Sequence, residues 1–386
     1  ALLPEPGTTL LPDGVAVSPD GTRIAFTASA RDGTRAIWTR ALNATKSTRV
    51  DGSEGAIGKI AWSPDGAALC FFVDGKLQRI PAAGGVPMTI ASINASIGVA
   101  WSKDDVIVFP QSNRTALFRV PAAGGTPEPL TTLDATRENS HRWPQFLPDG
   151  DHYLFTARSD VRENNLIYVG SLRDKTVTPL RPAQSGALFA PSGYLLFVER
   201  GALMAQRFNA ATMSLEGEAT ILTAPVRHNS PSSEGFLSIS ADGAVLTYVV
   251  GEPPASYAMW FDRRGRHLGT VGPARGYGEI RLAPDGKSAV VDIPDRESGT
   301  RELWLMDIVT AALTRLTSNP STDWNAVWSR DGAQIAFASD RDGLSSVFRT
   351  RVDGSSDELL VYRGSRSMFP GDWLPDDRAV LMYAGS

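Results

Sequence analysis

One short phrase recurs nine times along the chain and leaves few folds open. It reads Val17-Ser18-Pro19-Asp20-Gly21, then Trp62-Ser63-Pro64-Asp65-Gly66, Trp101-Ser102-Lys103-Asp104-Asp105, Phe146-Leu147-Pro148-Asp149-Gly150 and Phe189-Ala190-Pro191-Ser192-Gly193. Ile239-Ser240-Ala241-Asp242-Gly243, Leu282-Ala283-Pro284-Asp285-Gly286, Trp328-Ser329-Arg330-Asp331-Gly332 and Trp373-Leu374-Pro375-Asp376-Asp377 complete the series. From Pro19 to Pro375 the mean spacing is about 44.5 residues. That suits four strands per repeat and exceeds the roughly 20–34 residues of leucine-rich, ankyrin and tetratricopeptide arrays.

Each phrase carries its own turn chemistry. Proline presets φ for a tight turn, and Asp-Gly supplies the permissive positions that send one strand back along the next. Apolar, β-branched or aromatic runs follow, such as Arg23-Ile24-Ala25-Phe26-Thr27 and Gln334-Ile335-Ala336-Phe337. A second turn, at Asp32-Gly33, Asp74-Gly75 or Asp342-Gly343, introduces a third strand, and a fourth ends each unit. No segment sustains a 3.6-residue apolar period, so helices should be few. Four-stranded units bury both faces when stacked radially, and the fold expected is an all-β propeller of four-stranded antiparallel blades.

About eight units are complete, and the ninth stops at Val380-Leu381-Met382-Tyr383. The expectation is one ring of ~44-residue repeats over residues 1–386, a fragment of a longer protein. Two other closures are open: a last blade completed by a strand near Thr8–Leu11, or a division between two rings. The residues two before each turn proline position (Val17, Trp62, Trp101, Phe146, Phe189, Ile239, Leu282, Trp328 and Trp373) are all large and apolar, which assigns them to packing between blades.

Composition narrows the function. The 38 basic and 42 acidic residues are scattered and give a net charge of −4, so no basic stripe awaits nucleic acid. No apolar run nears the roughly 18 residues that would span a bilayer. Cys70 is the single cysteine, which excludes an internal disulfide or a multi-cysteine zinc site, and its apolar neighbours Leu69, Phe71 and Phe72 read as packing. The N-terminus shows no signal-peptide pattern, as expected of a chain that begins downstream of a natural start.

The Ser-Pro-Asp-Gly phrases, the Ala-Ala-Gly-Gly turns at 82–85 and 122–125, and the run from Trp324 to Gly332 resemble TolB-like WD-repeat propellers. More narrowly, His141-Arg142-Trp143-Pro144-Gln145-Phe146 before the fourth phrase is similar to the C-terminal sensor region of bacterial transmembrane serine/threonine kinases. That resemblance implies a periplasmic or extracytoplasmic location and a sensing or binding role. No kinase catalytic loop or phosphate-cradling glycine loop lies in the chain.

In a propeller the innermost strand of each blade starts at the mouth of the central channel, so residues five to seven before each turn position should ring that opening. This register offers Lys59, His141, Arg142, Gln184, Tyr277 and Asn325 as ligand-binding residues. It offers His141, Glu234, Glu279 and Asp323, joined by His228 from the polar loop entering the sixth unit, as donors to a divalent cation in the channel. Asp340-Arg341-Asp342-Gly343 and Asp295-Arg296-Glu297-Ser298-Gly299 look like calcium loops, but turn chemistry explains both. Neither a GxSxG elbow nor an HExxH helix occurs. The leading expectation is a sensor or interaction propeller that takes a peptide, a small ligand or a protein partner at the channel mouth. The alternative is a metal-dependent hydrolase of phosphotriesters, lactones or other esters.

Overall fold

The computed structural model describes residues 7–159, 164–229, 232–250, 256–295, 300–319, 321–341 and 344–384. Among them there is no α-helix, and the sheets are antiparallel meanders. The expected all-β propeller architecture of four-stranded blades is present.

The repeat phrase forms its hairpin through one recurring set of hydrogen bonds. Ser18 Oγ donates to Asp20 Oδ1 at 2.5 Å and accepts from the Arg23 N–H at 2.9 Å. Ser63 does the same with Asp65 and Ala68, Ser240 with Asp242 and Val245, and Ser329 with Asp331 and Gln334. The Ser18 hydroxyl, helped by the Thr22 N–H, holds the Asp20 carboxyl down to about 2. Two side chains thus satisfy the turn's backbone donors without help from the rest of the fold.

Radial stacking follows from the second strand of each repeat. In Ala68–Val73, Leu69, Phe71 and Val73 point to one face and pack with Ala16, Ala25 and Ile37 of the preceding sheet. Cys70 and Phe72 point to the other and pack with Ile107, Phe109 and Val120 of the following sheet. A continuous apolar run with period-two alternation therefore needs a neighbour on each side. Cys70 is fully buried, and burial pushes its thiol up, away from reactivity.

The tryptophans before the turns tie neighbouring blades together. The Trp62 indole N–H donates to the Ala16 carbonyl at 3.0 Å, Trp328 to Arg281 at 2.9 Å and Trp373 to Val327 at 3.2 Å, each acceptor lying on the innermost strand one repeat earlier. Trp101 differs, donating to Asp105 of its own turn. Leu282 also differs from the expected packing: it is 45% exposed.

The chain falls into two compact units, 1–251 and 252–386, where one ring over 1–386 was expected. In the first unit five four-stranded sheets begin at Thr8–Val17, Ile57–Trp62, Ala100–Trp101, Ser140–Phe146 and Ala187–Ala190. A sixth, two-stranded sheet pairs Leu237–Ile239 with Leu246–Tyr248. Each innermost strand packs on the next, and Leu237–Ile239 returns to Thr8–Val17, so six blades close a ring. The joint is hydrogen-bonded: the Val17 N–H donates to Ser238 Oγ and the Ala241 N–H to the Pro19 carbonyl, both at 3.0 Å. Thr8–Leu11 pairs with Thr27–Ala30 inside the first blade, so that segment does not complete the last one.

The second unit holds two four-stranded sheets, starting at Ile280–Leu282 and Asp323–Trp328. It also holds two two-stranded sheets, Ser256–Phe261 with His267–Arg275 and Met368–Trp373 with Val380–Ala384. Asp342-Gly343 and residues 296–299 of the calcium-like loops lie outside the described residues.

Candidate functional site

The innermost strands of the first unit are not regular, and their irregularities build the channel. Leu11 pairs with Thr27 and Ala16 with Ala25, so Asp13 lies in a looped-out stretch. Ile57 and Ala61 flank a similar bulge containing Lys59, and Arg142 and Gln145 flank one containing Trp143. Bulges re-aim side chains out of the ladder, and here they carry a carboxylate, an ammonium and an indole.

Lys59 Nζ donates to the Leu237 carbonyl at 2.7 Å, reaching across from the second blade to the sixth. Glu234 and Asp13 are its electrostatic neighbours, and Arg227 is a further one of Glu234. Burial pushes the Glu234 carboxyl up to about 7, against the pull of the Lys59 ammonium, while burial pushes Lys59 itself down. Lys59, Trp143 and Leu237 line a cavity of about 40 Å³, close to a single water in capacity.

Trp143 stands between that cavity and a larger one. Its backbone N–H donates to the Ile97 carbonyl at 3.2 Å and its indole to the Ser232 carbonyl at 2.8 Å. Ile97 and Ser232 line the outer cavity, of about 360 Å³. Trp143 has φ 54°, a left-handed conformation costly for a bulky residue. Two glycines give it room, since a Cβ on Gly98 would sit 2.8 Å from Trp143 Cα and one on Gly186 2.8 Å from its Cβ. The outer cavity opens where the loop at Asn113 and Arg114 meets Asn139, Arg142 and Arg158, beside Asn229. Arg142 is 6% exposed; its Nε donates to Ser140 Oγ at 2.8 Å and its Nη2 to the Asn113 carbonyl at 2.9 Å.

The expected site residues divide between the units. Lys59 and Glu234 come together in the first unit's channel, and Arg142 lines the outer cavity. His141, one residue away, packs between its blade and the preceding one: Nδ1 meets Thr131 Oγ1 at 2.7 Å, Nε2 meets Glu138 Oε2 at 3.1 Å, and the ring lies 4.7 Å from Phe155. Gln184 is exposed and caps the Arg200 N–H at 2.7 Å. His228 pairs with Gly235 in a short hairpin, and burial lowers its basicity.

Tyr277, Glu279, Asp323 and Asn325 belong to the second unit. Tyr277 is core, its hydroxyl donating to the Pro273 carbonyl at 3.2 Å. Glu279 is exposed beside Arg281, 3.6 Å away. Asp323 is buried against Arg341 at 3.1 Å, and burial raises its carboxyl. Asn325 donates to the Tyr383 hydroxyl at 3.1 Å. Among the described residues no group of three or more His, Cys, Asp or Glu could hold a metal ion, so the donor set read from register does not fit one.

Register reasoning missed Asp13, Asn113, Arg114, Asn139 and Arg158. Asp13, six before Pro19, lies within that register and was legible from it. The others lie at the end of a second strand, on the loop between second and third strands or just before a first strand, and an antiparallel meander brings those segments to the end where first strands begin. That rule was the available signal.

Residues 233–386 match the family PD40, TolB beta propeller domain. The matched repeats are TolB-like. The TolB-like stretch starts one residue before Glu234 and leaves all of the outer cavity's lining upstream of it. Over 94 residues the chain is 38% identical to an uncharacterized protein of Agrobacterium fabrum, Atu1656, covering 24% of this chain and 29% of that one. Over 69 residues it is 36% identical to dipeptidyl-peptidase 5 of Porphyromonas gingivalis, covering 17% and 10%. The matches thus span less than a third of either relative's length. Among solved structures, TolB from Acinetobacter baumannii is 17% identical, covers 92% of this chain and 80% of its own, and has a TM-score of 0.33. A prolyl endopeptidase is 15% identical, with 90% and 53% covered and a TM-score of 0.43.

Proposed function

We propose that this chain is a binding propeller, a sensor or interaction module that takes a small ligand or the end of a peptide or partner protein into the channel mouth of its first unit. One observation carries the reading: a polar cavity of about 360 Å³ at the end of a closed ring, with Trp143 held in a costly conformation beneath it. That volume lies at the small end of ordinary ligand sites, where a few fixed polar groups set orientation. A bulky residue in the left-handed region persists only where its surroundings over-determine it, a pattern concentrated at functional sites. The TolB-like repeats support the periplasmic or extracytoplasmic setting proposed here. The hydrolase reading has no comparable support, because His141 and Asp323 are committed to structural partners and Glu279 stands apart from other donors.

The test is a thermal-shift screen of the whole chain against tripeptides, sugars, and small organic acids and bases, repeated on Asn229→Trp, which fills the mouth from an exposed position. Hits that raise the melting temperature of the parent and not of Asn229→Trp support the reading. An empty screen, or hits indifferent to Asn229→Trp, would overturn it.

A further inference from the structure

The outer cavity has a charge character that its fold alone does not require. Three guanidinium-bearing side chains reach it from three separate segments: Arg114 from the loop after Val106–Pro110, Arg142 from Ser140–Phe146, and Arg158 from the end of His152–Arg158. Asn113, Asn139 and Asn229 add side-chain amides, and no carboxylate lines the cavity among the described residues. The chain as a whole carries −4, so this concentration is local and runs against the average. We propose that the cavity is an anion site for a ligand bearing a carboxylate or phosphate group, an inference that rests on the binding role proposed above.

The chemistry favours an anion over a neutral ligand for three reasons. Guanidinium groups present planar forks of donors that match two oxygens of a carboxylate or phosphate at once. Arg142 is buried and anchored to Ser140 and the Asn113 carbonyl, so its plane is set before any ligand arrives. Arg114, Asn139, Arg142 and Arg158 also hold contacts within the chain, so a ligand would join an existing network. Three guanidinium groups at one opening raise the local potential for an incoming anion, an effect that salt screens. Ile97 supplies an apolar contact, so a ligand with a short hydrocarbon body and an acidic end fits better than a bare inorganic ion. The shared chemistry has two sources, a free small acid and the C-terminal carboxylate of a peptide.

Calorimetric titration of the full chain separates them. The probes are inorganic phosphate, succinate, its uncharged diamide, and one tripeptide prepared with a free or an amidated C-terminus. The acids should bind at least about tenfold more tightly than their uncharged counterparts, and affinity should fall between low and high salt. Arg114→Gln, an exposed position safe for folding, should weaken the acids about fivefold or more and leave uncharged ligands unchanged. Arg158→Gln should do the same, with circular dichroism confirming the fold. A preference for the free over the amidated tripeptide assigns the peptide source, and binding of succinate or phosphate alone assigns the small acid. Uncharged counterparts binding as well as the acids would overturn the anion site while leaving the binding role standing. No binding of any probe or screened compound would remove both.

Discussion

Trp62 and Leu282 occupy the same place in the repeat, two residues before the turn proline, yet one is 7% exposed and the other 45%. Trp62 sits in a ring, where the preceding blade offers the Ala16 carbonyl to its indole and Ala16, Ala25 and Ile37 to its neighbours. Leu282 opens the first complete sheet of the second unit, behind a two-stranded sheet. Its whole strand, Ile280–Leu282, is exposed. The same local code therefore produces a core residue or a surface residue according to what the neighbouring blade packs against it. A propeller position is half a contact, and its energy is realised only when the next blade supplies the other half.

The contrast can be broken in three ways. Trp62→Ala should destabilise the first unit by about 3–5 kcal/mol, while Leu282→Ala should cost under about 1 kcal/mol, read from urea unfolding followed by circular dichroism. Equal losses would show that exposure in the second unit misstates its packing.

A second, smaller effect belongs to the first unit's channel alone. The Glu234 carboxyl is raised from its ordinary 4.5 to about 7, so the folded state holds a proton that the unfolded chain has released over that interval. Stability from this group is complete below about pH 4.5 and declines as pH rises to about 7, by about 3 kcal/mol at most. Glu234→Gln should flatten that decline in unfolding midpoints measured at pH 4.5, 6 and 8. An unchanged slope would place the titrating group elsewhere.

The smallest effect should be shared. Ser63→Ala and Ser329→Ala each remove the hydroxyl that bridges a turn aspartate and a backbone N–H, and each should cost about 1 kcal/mol in its own unit. A clear inequality would mean that the turns draw on more than local bonds.

These three scales mirror how far each feature could be read from residues alone. The turn at Ser-Pro-Asp-Gly is complete within six residues, so Asp20, Asp65, Asp242 and Asp331 were legible. The second strands were legible too, because a run such as Leu69-Cys70-Phe71-Phe72 has no polar face to offer water. Lys59, Arg142 and Glu234 were found because they keep the common register. His141 misled: its place at the strand's start is right, but its ring turns to Thr131, Glu138 and Phe155. Arg114 and Arg158 depend on which segments share an end of the ring, which a fixed spacing does not encode.

Local chemistry in the chain settles the turns, the alternation of strand faces and the need for radial neighbours, because each depends on atoms only a few residues apart. Where the ring closes is a different kind of fact. Leu237–Ile239 meets Thr8–Val17 after six blades because groups more than two hundred residues apart, the Val17 N–H and the Ser238 hydroxyl among them, find each other in space. The mouth cavity inherits that dependence: its arginines come from three segments that are brought to one end of one ring only by folding.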